Sequence, residues 1–143
     1  MVTGMFQELF NKKLSGVEIK PYIKGEEFPY EHTSSQYQLI IFLSLGCSAC
    51  IDFLPEVNEL TDDDLYSLTI FIAGTNEEIN ALKEQLVFNC KVISISEGEK
   101  IERYKVPTTP YLYLLDKNML VINSGKADSA SDVRIFLKES NLI

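Results

Sequence analysis

The chain alternates between unbroken apolar runs and segments whose apolar residues recur at helical spacing. "QLIIFLSL" at 38–45 is almost continuously apolar and holds β-branched residues, which predicts a central strand covered on both faces. After "GCSAC" at 46–50 the period changes. Cys50, Phe53, Leu54, Val57 and Leu60 fall on a helical face, so a helix is expected from near Cys47 to just before "TDDD" at 61–64. Pro55 lies inside it and is expected to kink it, because proline has no N–H to donate. A second buried strand is expected within "LYSLTIFIAG", 65–74. Thr75 followed by Glu78 has the capping-box spacing, with Ile79, Leu82, Leu86 and Val87 as the apolar stripe of the helix it opens. "CKVISI", 90–95, reads as a short third strand, and "EGEKIERYK", 97–105, as a polar helix anchored by Ile101 and Tyr104.

"PYLYLL", 110–115, and "LVINSG", 120–125, flank the turn "DKNM" and are too close in sequence to pair other than antiparallel. Ser129 and Asp132 predict a capped terminal helix that turns Val133, Phe136 and Leu137 inward. Ahead of the first strand, Phe6, Phe10 and Leu14 suggest a short amphipathic helix ended by Gly16. "VEIKPYIKGEEFPYEH", 17–32, reads as short edge strands around a turn. Strands separated by helices imply right-handed crossovers and parallel pairing, while the closing hairpin makes the sheet mixed. The expectation is an α/β fold, a central mixed sheet with helices on both faces. It forms one domain over 1–143, with 1–32 as an N-terminal extension.

Composition narrows the function. A chain of 143 residues, 45% of them hydrophobic, suits one core that buries roughly two-thirds of the unfolded surface. Such a core needs neither a zinc site nor a disulfide framework. The net charge of −8, with no dense Lys/Arg cluster, argues against nucleic acid as a partner. No apolar run reaches the roughly 18 residues of a spanning helix, so no transmembrane segment is expected. The start lacks the apolar core of a signal peptide. A full-length chain would be cytoplasmic; one from which an export signal or anchor has been removed would be extracytoplasmic. A monomer is expected.

The chemistry lies in Cys47 and Cys50, two of three cysteines. Metal ligation, a structural cross-link and redox exchange all suit a CxxC pair. Zinc normally takes four ligands, and only Cys90 and His32 remain to complete a set. The domain does not need a cross-link. A redox pair is therefore favoured, with Cys90 as a partly buried bystander at a strand edge and His32 as a loop residue; a resolving role for Cys90 and a base role for His32 are the alternatives. "DDD" at 62–64 has no calcium-loop pattern and reads as a solvated helix exit. Cys47 is expected at a helix N-terminus, where unpaired N–H groups and the helix dipole favour a thiolate. Thiols in such motifs have pKa values from about 3.5 to about 7.5. Cys50, one turn inward, would resolve what Cys47 captures. Ser48 and Ala49 add no charge and tune the pair, with Ser48 placed to donate to the Cys47 sulfur. No His lies between the cysteines, so an intermediate-to-reducing centre is expected.

With these residues in this order the chain resembles the thioredoxin superfamily. The resemblance rests on Cys47-Ser48-Ala49-Cys50 after the central strand, on Pro55 five residues past the second cysteine, and on Pro110 in "YKVPTTPYLYLLD". Tyr104, Val106, Pro110 and Asp116 are similar to the branch of cytochrome-maturation and other mostly extracytoplasmic thiol–disulfide oxidoreductases. The "CIDFLPEVNEL" helix and the 17–32 stretch resemble it too. The resemblance implies a thioredoxin-like fold and thiol–disulfide exchange with protein or peptide partners, fed by an upstream redox partner. It implies no bound cofactor beyond a redox-active Cys47–Cys50 disulfide, and no metal. It also implies a cis bond before Pro110, with the Thr109 N–H and C=O free to pair with an extended substrate segment. Two departures stand out. Gly46 replaces an aromatic residue, and Ile41 stands where many thioredoxins carry a buried acid that assists proton transfer near the second cysteine. Two other functions fit the pattern less well. A thiol peroxidase would resemble a "PxxxTxxC" arrangement, whose Pro and Thr are missing from "IIFLSLGC"; a non-catalytic peptide-binding module would have no need of both cysteines.

Overall fold

The computed structural model describes residues 19–31, 35–62 and 65–142. The expected helix at 1–16, His32 and most of "DDD" lie outside the described residues. Strand β1 is Tyr37–Ser44, β2 Ser67–Ala73, β3 Lys91–Ile95, β4 Tyr111–Asp116 and β5 Val121–Lys126. They form one sheet in the order β3-β2-β1-β4-β5. The β1–β2 and β2–β3 pairs are parallel, and β1–β4 and β4–β5 antiparallel. The central position of β1 accounts for its composition: every residue from Gln38 to Ser44 is buried.

Helix α1 (Ser48–Phe53) and α2 (Asn76–Gln85) make the two parallel crossovers, which move in one direction across the sheet and so place both helices on one face. There Phe53, Val57, Ile79, Val133 and Leu137 pack on Leu39, Ile41 and Ile70, with α4 (Ala130–Glu139) supplying Val133 and Leu137. The opposite face holds an aromatic cluster: Phe28, Phe42, Phe71, Tyr104 and Tyr113, with Phe42 and Phe71 stacked at 4.9 Å between ring centres. Helix α3 (Glu97–Glu102) leads into this second layer. The expected α/β architecture, with the sheet covered on both sides, is observed.

Local signals set several boundaries. The Thr75 hydroxyl accepts from Glu78 N–H at 3.1 Å while the Glu78 carboxylate takes Thr75 N–H at 3.0 Å, completing the expected capping box. At α4 the Ser129 hydroxyl accepts from Asp132 N–H at 3.1 Å; the Asp132 carboxylate reaches one residue further back, to Asp128 N–H at 3.0 Å.

Three expectations change. The kink at Pro55 is a change of helix type: α1 stops at Phe53 and continues as a 3-10 helix over Leu54–Asp62. Leu54 N–H still reaches Cys50 C=O, but Pro55 has no N–H for the next rung. Val87 is not part of the α2 stripe; it lies beyond the end of α2 and is 77% exposed. The 17–32 stretch does not form edge strands over its described residues. It pairs by one bridge, Glu27 with Leu120, after a turn in which Gly25 holds φ at +92°, a conformation that glycine adopts without strain. Backbone bonds of 2.9 Å tie Gly25 N–H to Val121 C=O, Val121 N–H to Glu26 C=O and Phe28 N–H to Met119 C=O, and Phe28 enters the aromatic layer, 4.8 Å from the Tyr113 ring centre, so a short bridge and side-chain packing together hold this segment.

Candidate active site

The site forms where the end of β1 meets the start of β4. The last β1–β4 pair is Phe42 with Tyr111, so the chain beyond Ser44 and the chain before Tyr111 leave the sheet side by side. Cys47 is the N-cap of α1, in an extended conformation (φ −107°, ψ 116°), and its sulfur accepts the Cys50 N–H at 3.2 Å. This donor is a backbone amide rather than the Ser48 hydroxyl expected from the sequence. The Cys47 thiol faces the Thr109 carbonyl oxygen at 3.4 Å, and the Thr109–Pro110 bond is cis, as the resemblance implied. Cys47 is half-buried, whereas Cys50 is 1% exposed and takes the Ser44 N–H on its sulfur at 3.4 Å.

The two thiols are electrostatically unlike. Burial pushes Cys47 up, but hydrogen bonding with the Cys50 and Thr109 side chains and with the Cys50 and Ala49 amides outweighs it and holds the thiol below its ordinary range. Cys50 is pushed up to about 11, first by burial and then by its bond to the Cys47 thiol, against smaller opposing help from Thr109 and the Ser44 amide. A half-buried sulfur whose anion is favoured is thus paired with an enclosed one whose proton is held.

The other expected residues fall around this pair. Gly46 and Ser48 are exposed, Ala49 and Thr109 half-buried, and Pro110 buried. Pro55 is exposed at the change of helix type and remote from the sulfurs in role. Tyr111 is buried, its hydroxyl donating to Ser124 Oγ at 3.2 Å, so it belongs to the sheet. Cys90 is half-buried just before β3, its thiol pushed up to about 11 by burial. Among the described residues no group of three or more His, Cys, Asp or Glu gathers that could hold a metal ion, and no helix is long and apolar enough to cross a membrane.

Sequence reasoning missed three residues. The Ser44 hydroxyl donates to Glu97 Oε1 at 2.6 Å, and Glu97 Oε2 pairs with Lys100 Nζ at 2.6 Å. Ser44 also accepts Gly46 N–H on its hydroxyl (3.3 Å) and Cys47 N–H on its carbonyl (3.1 Å). Burial pushes the Glu97 carboxyl up, but Lys100 and Ser44 outweigh it and hold it below the usual range. No local pattern pointed to this link, because Ser44 and Glu97 are 53 residues apart.

No family model matches the sequence, and no curated protein matches it. Solved structures do match. One is designated thiol:disulfide interchange protein DsbE from Chlorobium tepidum, with TM-score 0.70 at 15% identity, covering 85% of this chain and 96% of that one. The exposed lipoprotein thioredoxin Etrx1 of Streptococcus pneumoniae matches with TM-score 0.60 at 19% identity over 73% of this chain and 85% of its own. StoA from Bacillus subtilis matches with TM-score 0.56 at 16% identity over 75% and 89%. Likeness at these identities speaks for architecture, and with the sheet order, the CxxC at the head of α1 and the cis Thr109–Pro110 bond it establishes that this chain has the thioredoxin-like fold.

Proposed function

We propose that the protein is a thiol–disulfide oxidoreductase that exchanges disulfides with protein or peptide partners through Cys47 and Cys50. The observation that carries this reading is the inequality of the two sulfurs. One caps a helix, is accessible and favours its anion; the other is enclosed and stays protonated. The names of two structural neighbours, a thiol:disulfide interchange protein and a lipoprotein thioredoxin, support it.

In the reducing direction the Cys47 thiolate attacks one sulfur of a partner disulfide. A Cys47–partner bond forms, and the second partner sulfur leaves as a thiolate. Cys50 then loses its proton to solvent or to that leaving sulfur and attacks Cys47. The Cys47–Cys50 bond forms and the partner departs with both electrons. Run backwards, the same steps oxidise a partner dithiol. The Thr109 N–H and C=O serve as pairing points for an extended partner segment, with Pro110 keeping a competing backbone donor away from the sulfurs.

The test is trapping. A Cys50→Ser variant incubated with an oxidised peptide or cell extract should accumulate a mixed disulfide on Cys47, identified by mass spectrometry. The same protein with both cysteines should reduce insulin, and Cys47→Ser should not. Insulin reduction that survives in Cys47→Ser would overturn the assignment.

A further inference from the structure

We propose that Glu97 and Lys100 act through Ser44 as a charge-balanced pair that positions and poises the Cys47–Cys50 dithiol. This rests on the oxidoreductase reading and extends it to residues on a different element. Lysine is seldom buried unless paired, yet Lys100 is 9% exposed on a helix of six residues. Its ammonium meets one oxygen of Glu97 and the Ser44 hydroxyl meets the other, both at 2.6 Å, so the carboxylate has fixed partners on both sides.

Ser44, 6% exposed, is the residue through which the pair reaches the site. Its N–H faces the Cys50 sulfur, its carbonyl holds the Cys47 N–H, and its hydroxyl holds the Gly46 N–H. An anion and a cation are thus held behind Ser44, whose N–H faces the Cys50 sulfur: the Lys100 ammonium is largely enclosed, while the Glu97 side chain is half exposed. The enclosed ammonium is screened less by solvent than the carboxylate beside it. Among the described residues, the groups bonded to the dithiol are the two thiols themselves, Ser44 on β1 and Thr109 ahead of β4, both uncharged; the Glu97–Lys100 pair on α3 stands one hydrogen bond further back, on the Ser44 hydroxyl. While both charges are present their fields oppose each other at the sulfurs. With one removed, the other acts alone.

Only the reduced protein can carry a thiolate. A lone ammonium therefore favours the dithiol and a lone carboxylate favours the disulfide. The balanced reaction is protein disulfide plus two glutathione thiols giving protein dithiol plus one glutathione disulfide. The Cys47–Cys50 bond breaks and takes up two electrons and two protons, and the glutathione sulfurs join.

The experiment is that equilibrium, measured on the whole protein at about pH 8, where the thiolate is populated. Glu97→Gln keeps an acceptor for Ser44 and should shift the equilibrium roughly threefold or more toward dithiol; Lys100→Gln should shift it by a similar factor toward disulfide. The double variant, with a neutral pair, should return to within about twofold of the parent. Opposite signs and recovery cannot come from loosening alone, which would move both single variants the same way. Shifts of one sign, or none, overturn the proposal. If one single variant fails to fold, the sign of the other against the double variant decides. A parent protein that forms no Cys47–Cys50 disulfide in the titration sinks the oxidoreductase reading itself, whereas a parent that titrates beside unmoved variants sinks only the role of Glu97 and Lys100.

Discussion

The Cys47 sulfur lies 3.4 Å from the Thr109 carbonyl oxygen, across 62 residues of sequence. The contact joins a helix cap to the loop that enters β4, and it brings to one spot a sulfur that favours its anion and the cis Thr109–Pro110 peptide. Its chemical consequences can be measured thiol by thiol.

Alkylation of the reduced protein should be ordered. Cys47 titrates below the ordinary thiol range and Cys50 near 11. At neutral pH iodoacetamide should therefore label Cys47 at least about a hundredfold faster than Cys50, since each pKa unit is tenfold in thiolate. Peptide mapping after short exposure checks this. Equal labelling of the two would contradict the electrostatic picture.

Stability of the reduced protein should fall on the alkaline side. Cys50 and Cys90 both hold their protons to about 11 in the folded state. Between the ordinary thiol pKa, about 8.5, and 11 the native state binds more protons than the unfolded one, so unfolding free energy decreases as pH rises. Below that window their contribution is constant. Buried Tyr104 and Tyr113 and partly buried Tyr22, also held up by burial, add to the slope only from about pH 10. Denaturant titrations from pH 7 to 10 test the sign, and Cys90→Ala should flatten the early part of the fall.

Thr75→Ala should cost about 1 kcal/mol, the usual worth of an N-cap, because it strips one partner from the reciprocal bonds with Glu78. Insulin reduction should be unaffected. A melting temperature equal to that of the parent would show that the cap adds nothing.

Tyr113→Phe should be costlier, about 1–3 kcal/mol, since three main-chain groups lose a partner. The Tyr113 hydroxyl shares its proton between the carbonyls of Tyr104 (2.9 Å) and Lys105 (3.0 Å) and accepts the Tyr22 N–H at 3.2 Å. Lys105 sits at a positive φ of 52°, so this hydroxyl supports a strained turn on the way to Thr109. Chemical denaturation of the two proteins gives the difference directly.

What could be read from the sequence was what neighbouring residues decide together. The Thr75–Glu78 cap, the apolar β1 and the CxxC at a helix start are all local, and each is found at its expected place. The cis Thr109–Pro110 bond came from the resemblance rather than from any local rule. Errors arose where tertiary packing overrode local pattern. Val87 continued an apolar stripe on paper, but the helix had already ended at Gln85. The 17–32 stretch read as short edge strands, yet over its described residues the pairing stops at one bridge, Glu27 with Leu120, because Phe28 turns into the ring cluster beside it. The Ser44–Glu97–Lys100 link had no local trace: "SEGEKIE" reads as any solvated helix does, and only the folded sheet brings it beneath the β1 terminus.

The antiparallel register that sets Phe42 opposite Tyr111 has an evolutionary side. One residue inserted inside either of these strands would displace the sulfur from its facing peptide by a whole pleat and turn every inward side chain outward. The exposed turn at Lys117 and Asn118 joins β4 to β5 at the far end of the sheet, where added length leaves that spacing untouched. Lineages of this protein should therefore vary in length at that hairpin and not between Leu39 and Ser44.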